Sequence, residues 1–326
     1  MLHRSSPIAS GGSDAMRESP GGAPVNVACA ITQLGTPAAF LGRLGEDATG
    51  REFRDLFADR GVATMALQWD ADHPTRVARS EPDGHGGMRT AAFEGEDGDG
   101  FADEAVVPAT LAEEVMPLLG DARWLLVDTT VLTAPTTRVA LDLLLHRATA
   151  KGVAIALDLQ WRPRFWGLEP GTPPTHEVLR RCRPLLEVAS LIRCDREEAR
   201  WFFGTTDPAA IHAALPKRPA VLITDGTGPL QWCLGGRTGS VVPIDGEPAR
   251  DRTGSSDAFM AGLLDGLCRD PQLLGGVAAG GRAVADPEDV KRLLRFAMAC
   301  GAMVSRGQGA IDPQPTRNEV LTFLGS

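Results

Sequence analysis

Residues Asp251-Arg252-Thr253-Gly254-Ser255-Ser256-Asp257-Ala258-Phe259-Met260 run from a polar, glycine-containing turn straight into an apolar helical pattern. The first backbone N–H groups of a helix have no internal partners, and the helix dipole adds partial positive charge there. An anion can therefore settle on the amides of Gly254, Ser255, Ser256 and Asp257. Asp257, in the same turn, can take a proton from a nearby hydroxyl. Anion site, base and hydroxyl together describe phosphoryl transfer to an alcohol. Read alone, the same residues also make an ordinary helix cap, since Ser and Asp favour that position.

A second polar turn lies near the start of the chain. Gly21-Gly22-Ala23-Pro24-Val25-Asn26-Val27-Ala28 opens a helix, and Gly42-Arg43-Leu44-Gly45-Glu46-Asp47-Ala48-Thr49-Gly50 follows a short apolar run. Glycines without side chains let a polyol lie against the backbone.

The two stretches, in this order, resemble the two signatures of the ribokinase-like sugar kinases of the PfkB family. That resemblance covers residues 21 to about 323. It implies a catalytic base at Asp257 and an anion hole at Gly254, Ser255 and Ser256. Ser255 stands where the family has Ala and Ser256 where it has Gly. It also implies sugar-hydroxyl contacts at Gly21, Gly22 and Asn26.

Further stretches extend the likeness. Asp158-Leu159-Gln160-Trp161-Arg162 follows an apolar run and resembles the Asp-x-Asn-x-Arg motif of fructokinases and ketodeoxygluconate kinases, with Gln160 in place of Asn. Asp158, Gln160 and Arg162 become candidate substrate contacts, and Arg162 suits a phosphate because arginine forks around phosphate oxygens. Asp195 and Glu198 correspond to the family's Asn/Ser-x-x-Glu, which organises Mg–phosphate water; Glu198 would meet the metal through water. The same two residues also spell a capping box. Thr224, Gly226 and Gly228 resemble the turn beside the nucleotide phosphates and ribose, and Gly301 lies in the helix that borders the adenine. The implied cofactors are ATP and Mg²⁺, and the resemblance allows a monovalent cation such as K⁺.

These sites need a scaffold. Helical patterns fit residues 26–33, 50–60, 111–119, 135–150, 176–186, 197–203, 257–267 and 287–304. Buried-strand patterns fit residues 38–41, 124–127, 153–157, 189–192 and 220–223. Apolar strands separated by helices predict an α/β fold with a mostly parallel sheet covered on both faces. The resemblance makes this a ribokinase-like three-layer α/β/α sandwich with a small β lid. The polar, Gly-rich insertion at about 70–100 is the lid, and a homodimer through it is allowed. Residues 21–326 form the kinase domain, and residues 1–20 read as a disordered or irregular tail. Family members begin with a strand ending in Gly-Glu, followed by an Asp that grips the sugar. No such strand is legible before Gly21, where Asp14 is the only aspartate.

Composition removes other classes. The 326 residues carry a net charge of −9, which argues against nucleic acid and anionic membranes as bulk partners. The six cysteines, scattered without C-x-x-C spacing, read as reduced thiols of a cytoplasmic protein. Lysine occurs only at Lys151, Lys217 and Lys291, and no G-x-x-x-x-G-K-[ST] loop exists. The chain has no Tyr and 5% aromatics, which weighs against a nucleoside acceptor that would want aromatic walls.

The expected function is ATP-dependent phosphorylation of a monosaccharide's primary hydroxyl, with fructose to fructose 6-phosphate as the leading reading. The alternatives are 2-keto-3-deoxygluconate or another sugar, and a non-catalytic fructokinase-like binding or scaffold protein.

Overall fold

Alternate residues of the apolar runs face two different cores. In the computed structural model, Ala156, Leu191, Ala220 and Leu222 pack with the helices Ala23–Gln33, Ser255–Arg269 and Pro287–Arg306. Their neighbours Ile155, Leu157, Ile192, Val221 and Ile223 pack with the helices Pro135–Ala150 and His176–Val188. Successive strand side chains point to opposite faces, so a strand apolar on both faces must be covered twice. The result is the expected three-layer sandwich. The structure describes residues 1–5, 17–82, 88–226, 228–244, 249–274 and 286–325.

The strands in chain order are β1 (Leu2–Ser5), β2 (Arg17–Pro20), β3 (Ala39–Gly45), β4 (Ala63–Asp70), β5 (Val77–Pro82), β6 (Met88–Phe93), β7 (Trp124–Asp128), β8 (Ala154–Asp158), β9 (Leu191–Asp195), β10 (Ala220–Asp225), β11 (Gly228–Leu234) and β12 (Arg237–Val241). The central sheet has the order β12-β11-β10-β9-β8-β7. Strands β7 to β10 are parallel, and β11 and β12 add an antiparallel edge. Strands β3 and β4 form a separate parallel pair.

A four-stranded sheet of order β2-β1-β5-β6 forms the lid. Its β5 and β6 lie within the predicted insertion at 70–100, of which residues 83–87 are outside the described residues. The other half comes from the N-terminus and corrects the expectation of an irregular tail over residues 1–20. Strand β1 pairs antiparallel with β2 (Leu2↔Pro20) and parallel with β5 (Leu2↔Val77). Leu2 is 2% exposed beneath this pairing. Apart from Leu2 these strands hold His, Arg, Ser, Glu and Pro, with no apolar alternation to announce them; backbone pairing carries them. They belong to the lid, so no described strand before Gly21 enters the central sheet. Asp14 lies outside the described residues.

Arg76 ties lid to body. It is buried, its guanidinium stands 4.1 to 5.2 Å from the ring centroids of Phe101, Phe93 and Phe165, and it bonds Asp103 and Glu104. Five of the six cysteines are buried, and all six are free thiols. No helix among the described residues is long and apolar enough to cross a membrane.

Candidate active site

Gly254 sits at φ +76°, a left-handed conformation that favours glycine, and caps the helix Ser255–Arg269 without any side-chain cap bond. A Cβ there would lie 2.5 Å from Ala310 Cβ, so the turn also needs the missing side chain for space. Uncapped first-turn amides are open to an anion. Ser255 departs from the expected set. Its N–H donates to Arg252 O at 3.2 Å and its hydroxyl donates to Gly301 O at 3.0 Å, so it faces the helix behind. Gly254, Ser256 and Asp257 line the cavity instead. The Ser256 hydroxyl is buried with no partner among the described residues.

That cavity has a volume of ≈ 1010 Å³. Gly21, Gly22, Asn26, Gln160 and Arg162 line it as well. Gly22, at φ +110°, caps the helix Ala23–Gln33 and turns the chain past the cavity. The cavity continues along Leu41 to Leu44 of β3 and Ala140, Leu141 and Leu144 of the helix Pro135–Ala150.

Asp257 is buried and held at both oxygens. Asn26 Nδ2 donates to Oδ2 at 2.7 Å, and Gln160 Nε2 donates to Oδ1 at 2.9 Å. Burial pushes its pKa up to about 6; the Asn26 hydrogen bond works against that, and Asp158 adds to it. A carboxylate with a pKa near neutrality, at a helix entrance in a cavity, suits general-base work.

Asp158 ends β8 below this pair and bonds Gln160 Nε2 at 3.1 Å and Arg193 Nη1 at 3.1 Å. Arg193 is buried and its Nη2 donates to Thr224 Oγ1 at 3.0 Å. A buried polar chain thus runs from Asp257 through Gln160, Asp158 and Arg193 to Thr224.

Asp158, Asp195, Glu198, Thr224, Gly226, Gly228 and Gly301 do not line this cavity. Gly226 makes the β10–β11 hairpin turn, in which Gly228 pairs with Asp225; Thr227 is outside the described residues. Asp195 and Glu198 form the capping box of the helix Arg196–Phe203. Glu198 is buried, and its oxygens accept the N–H of Trp161 at 2.6 Å and of Asp195 at 2.8 Å. Burial and the neighbouring Asp195 carboxylate raise its pKa. Each Glu198 oxygen thus carries one backbone donor that fixes the carboxylate in place. The described residues contain no group of three or more His, Cys, Asp or Glu able to hold a metal.

Sequence reading gave no role to Asp128, Arg193 or Arg76. Asp128 and Arg76 line the cavity, and Asp128 pairs in register with Asp158. Asp128 was findable, because ligands meet the C-terminal ends of parallel strands and Asp128 ends β7. Arg193 had no such signal: its role depends on strand neighbours 35 and 31 positions away.

The pfkB family carbohydrate kinase model matches residues 10–317. The chain belongs to the pfkB family of carbohydrate kinases. This kinase is 29% identical over 320 residues to a fructokinase of Klebsiella pneumoniae, across 96% of this chain and 94% of that one. It superposes on the crystal structure of a fructokinase with bound ATP from Xylella fastidiosa with a TM-score of 0.82 at 26% identity, covering 100% of this chain and 95% of that one. It shares its fold with an aminoimidazole riboside kinase of Salmonella enterica, at a TM-score of 0.75 and 23% identity, covering 100% of this chain and 97% of that one. The ribokinase-like fold expected from the sequence is the fold of this kinase.

Proposed function

We propose that this chain transfers the γ-phosphoryl group of MgATP to the primary hydroxyl of fructose, giving fructose 6-phosphate. One observation carries the reading: Asp257, buried and held by Asn26 and Gln160, shares a cavity with Gly21, Gly22 and the uncapped entrance of its own helix. The hydroxyl gives its proton to Asp257 as its oxygen bonds to phosphorus. The bond from phosphorus to the β-phosphate oxygen breaks, and ADP leaves. Helix-entrance amides hold the charge on the transferred group. Mg²⁺ would supply charge neutralisation on the phosphates. Glu198, set back from the cavity, would meet it through water. Arg162 and the Gly21–Gly22 backbone orient the sugar.

The choice of fructose follows the likeness of Asp158-Leu159-Gln160-Trp161-Arg162 to fructokinases and the fructokinase relatives. The test is ADP release by purified protein given ATP and fructose, 2-keto-3-deoxygluconate or adenosine. Fructose is expected to give the highest kcat/KM. Turnover of another sugar with none of fructose would reject the substrate and leave the family reading intact.

A further inference from the structure

Gln160 holds its neighbours with both ends of one amide. Its Nε2 donates to Asp257 Oδ1 at 2.9 Å and Asp158 Oδ2 at 3.1 Å, while its Oε1 accepts from Arg162 Nη2 at 2.6 Å. It is 4% exposed, and its backbone is in the left-handed region at φ 46°, where a side-chain-bearing residue is strained. Strain of this kind persists where surrounding contacts over-determine the conformation. Here those contacts run to a proposed base and a proposed substrate arginine. The amide O and N are fixed by this network: reversing them would set the Gln160 oxygen against two carboxylates and its NH₂ against a guanidinium.

We infer that Gln160 is a positioning residue that orients the Asp257 carboxylate and couples that orientation to Arg162. The inference rests on the reading of Asp257 as base and extends it beyond a sugar contact for Gln160. One rigid amide spans the two groups, so a substrate that draws on Arg162 also loads the donor that holds Asp257. Each carboxylate oxygen of Asp257 carries one amide donor and keeps another lone pair for the acceptor hydroxyl. The groups facing Asp257 are Asn26 from the helix Ala23–Gln33, Asp158 from β8, Gln160 and Arg162 from the turn after β8, and Arg193 from β9. Among the uncharged ones, Asn26 and Gln160 donate to the ionised form and so favour it.

The test is Gln160→Met, which keeps length and bulk but removes the amide. Three readouts are compared with the unaltered protein: kcat, KM for the sugar, and the acid limb of kcat/KM. A positioning role predicts a kcat lowered by about tenfold or more, KM within about threefold, and an acid limb moved up by about one pH unit, because a donor to the charged base is gone. A rise in KM with kcat and acid limb unchanged would make Gln160 a sugar contact only and overturn the inference. No change in any of the three would overturn it as well.

A second readout needs no substrate. The ¹³C carboxyl resonance of Asp257, assigned by its loss in Asp257→Asn, is titrated in both proteins. Its midpoint should rise in Gln160→Met; an unmoved midpoint contradicts the inference whatever sugar the enzyme uses. If Gln160→Met does not fold, Gln160→Asn takes its place, with the amide kept one methylene shorter. That amide cannot span Asp257 and Arg162 together, so the midpoint should rise by a smaller amount. A midpoint and kcat equal to the unaltered protein would reject the span.

Discussion

Asn26 Nδ2 donates to Asp257 Oδ2 at 2.7 Å, joining residues 231 positions apart. One stands in the first turn of the helix that opens after Gly22, the other in the first turn of the helix that opens after Gly254. The two helices pack against each other in one core. The residue proposed to hold sugar and the residue proposed to take its proton are therefore set by one helix–helix contact. Asn26 Oδ1 is buried without a partner among the described residues, leaving an acceptor beside the base.

Removing the Asn26 amide is expected to cost activity through Asp257. Asn26→Ala should lower kcat/KM by about 10- to 100-fold, the worth of a hydrogen bond to a charged group. It should also move the acid limb of the profile upward, since the ionised form loses a donor. Steady-state kinetics between pH 5 and 8 measure both effects.

The pH profile of the unaltered enzyme follows from the burial of Asp257. Burial lifts its pKa to about 6, and a base must be ionised to accept a proton. The value of kcat/KM should be level at neutral pH and fall about tenfold per unit well below that pKa. A profile with no inflection between about pH 5 and 7 contradicts this assignment.

The same burial acts on stability. The folded pKa of Asp257 lies above that of an unfolded aspartate, ~3.9, so the folded chain binds the extra proton between the two values. The stability this group contributes is fully present below about pH 4 and is lost as pH rises through about 6. Asp257→Asn should therefore be more stable than the parent at pH 8, on the order of 1–2 kcal/mol after the lost amide contact is discounted, and no more stable at pH 4. Urea denaturation at the two pH values is the measurement.

Much of the frame is legible in the sequence, and the reasons are local. The helix Pro135–Ala150 falls where its pattern predicts, with Pro135 at a position that needs no N–H donor. The single helix expected at 111–119 is two, Pro108–Glu114 and Met116–Asp121, because Pro117 has no N–H to continue the ladder. Strands β1 and β2 escape because nothing in their side chains alternates. Gly254, Ser256 and Asp257 are legible because a helix entrance is a contiguous stretch. The link from Gln160 to Asp257 spans 97 positions and exists only once β8 and the helix Ser255–Arg269 meet. Ser255 reads like its neighbour Ser256, yet packing against Gly301 turns it away.

Gly254→Ala should damage fold and function together. The added Cβ meets Ala310 Cβ at 2.5 Å and Ala310 Cα at 2.7 Å, and the backbone is left-handed. A loss of about 1–3 kcal/mol is expected from the backbone conformation alone. Urea denaturation and a turnover assay report the two effects.

Ser256→Gly separates backbone from side chain in the anion site. Its hydroxyl has no partner among the described residues, so loss of it should change kcat by no more than about tenfold. A fall of about 10²-fold or more would make the hydroxyl a donor to the phosphoryl group and overturn the backbone-only account.

The most direct measurement is single-turnover phosphorylation by Asp257→Asn, with the phosphosugar detected by mass and ATP affinity measured alongside. The account predicts product from the unaltered protein, a turnover lower by about 10²–10⁴ in the variant, and ATP affinity little changed, because the helix-entrance amides remain. Near-normal turnover by a folded Asp257→Asn protein would contradict it.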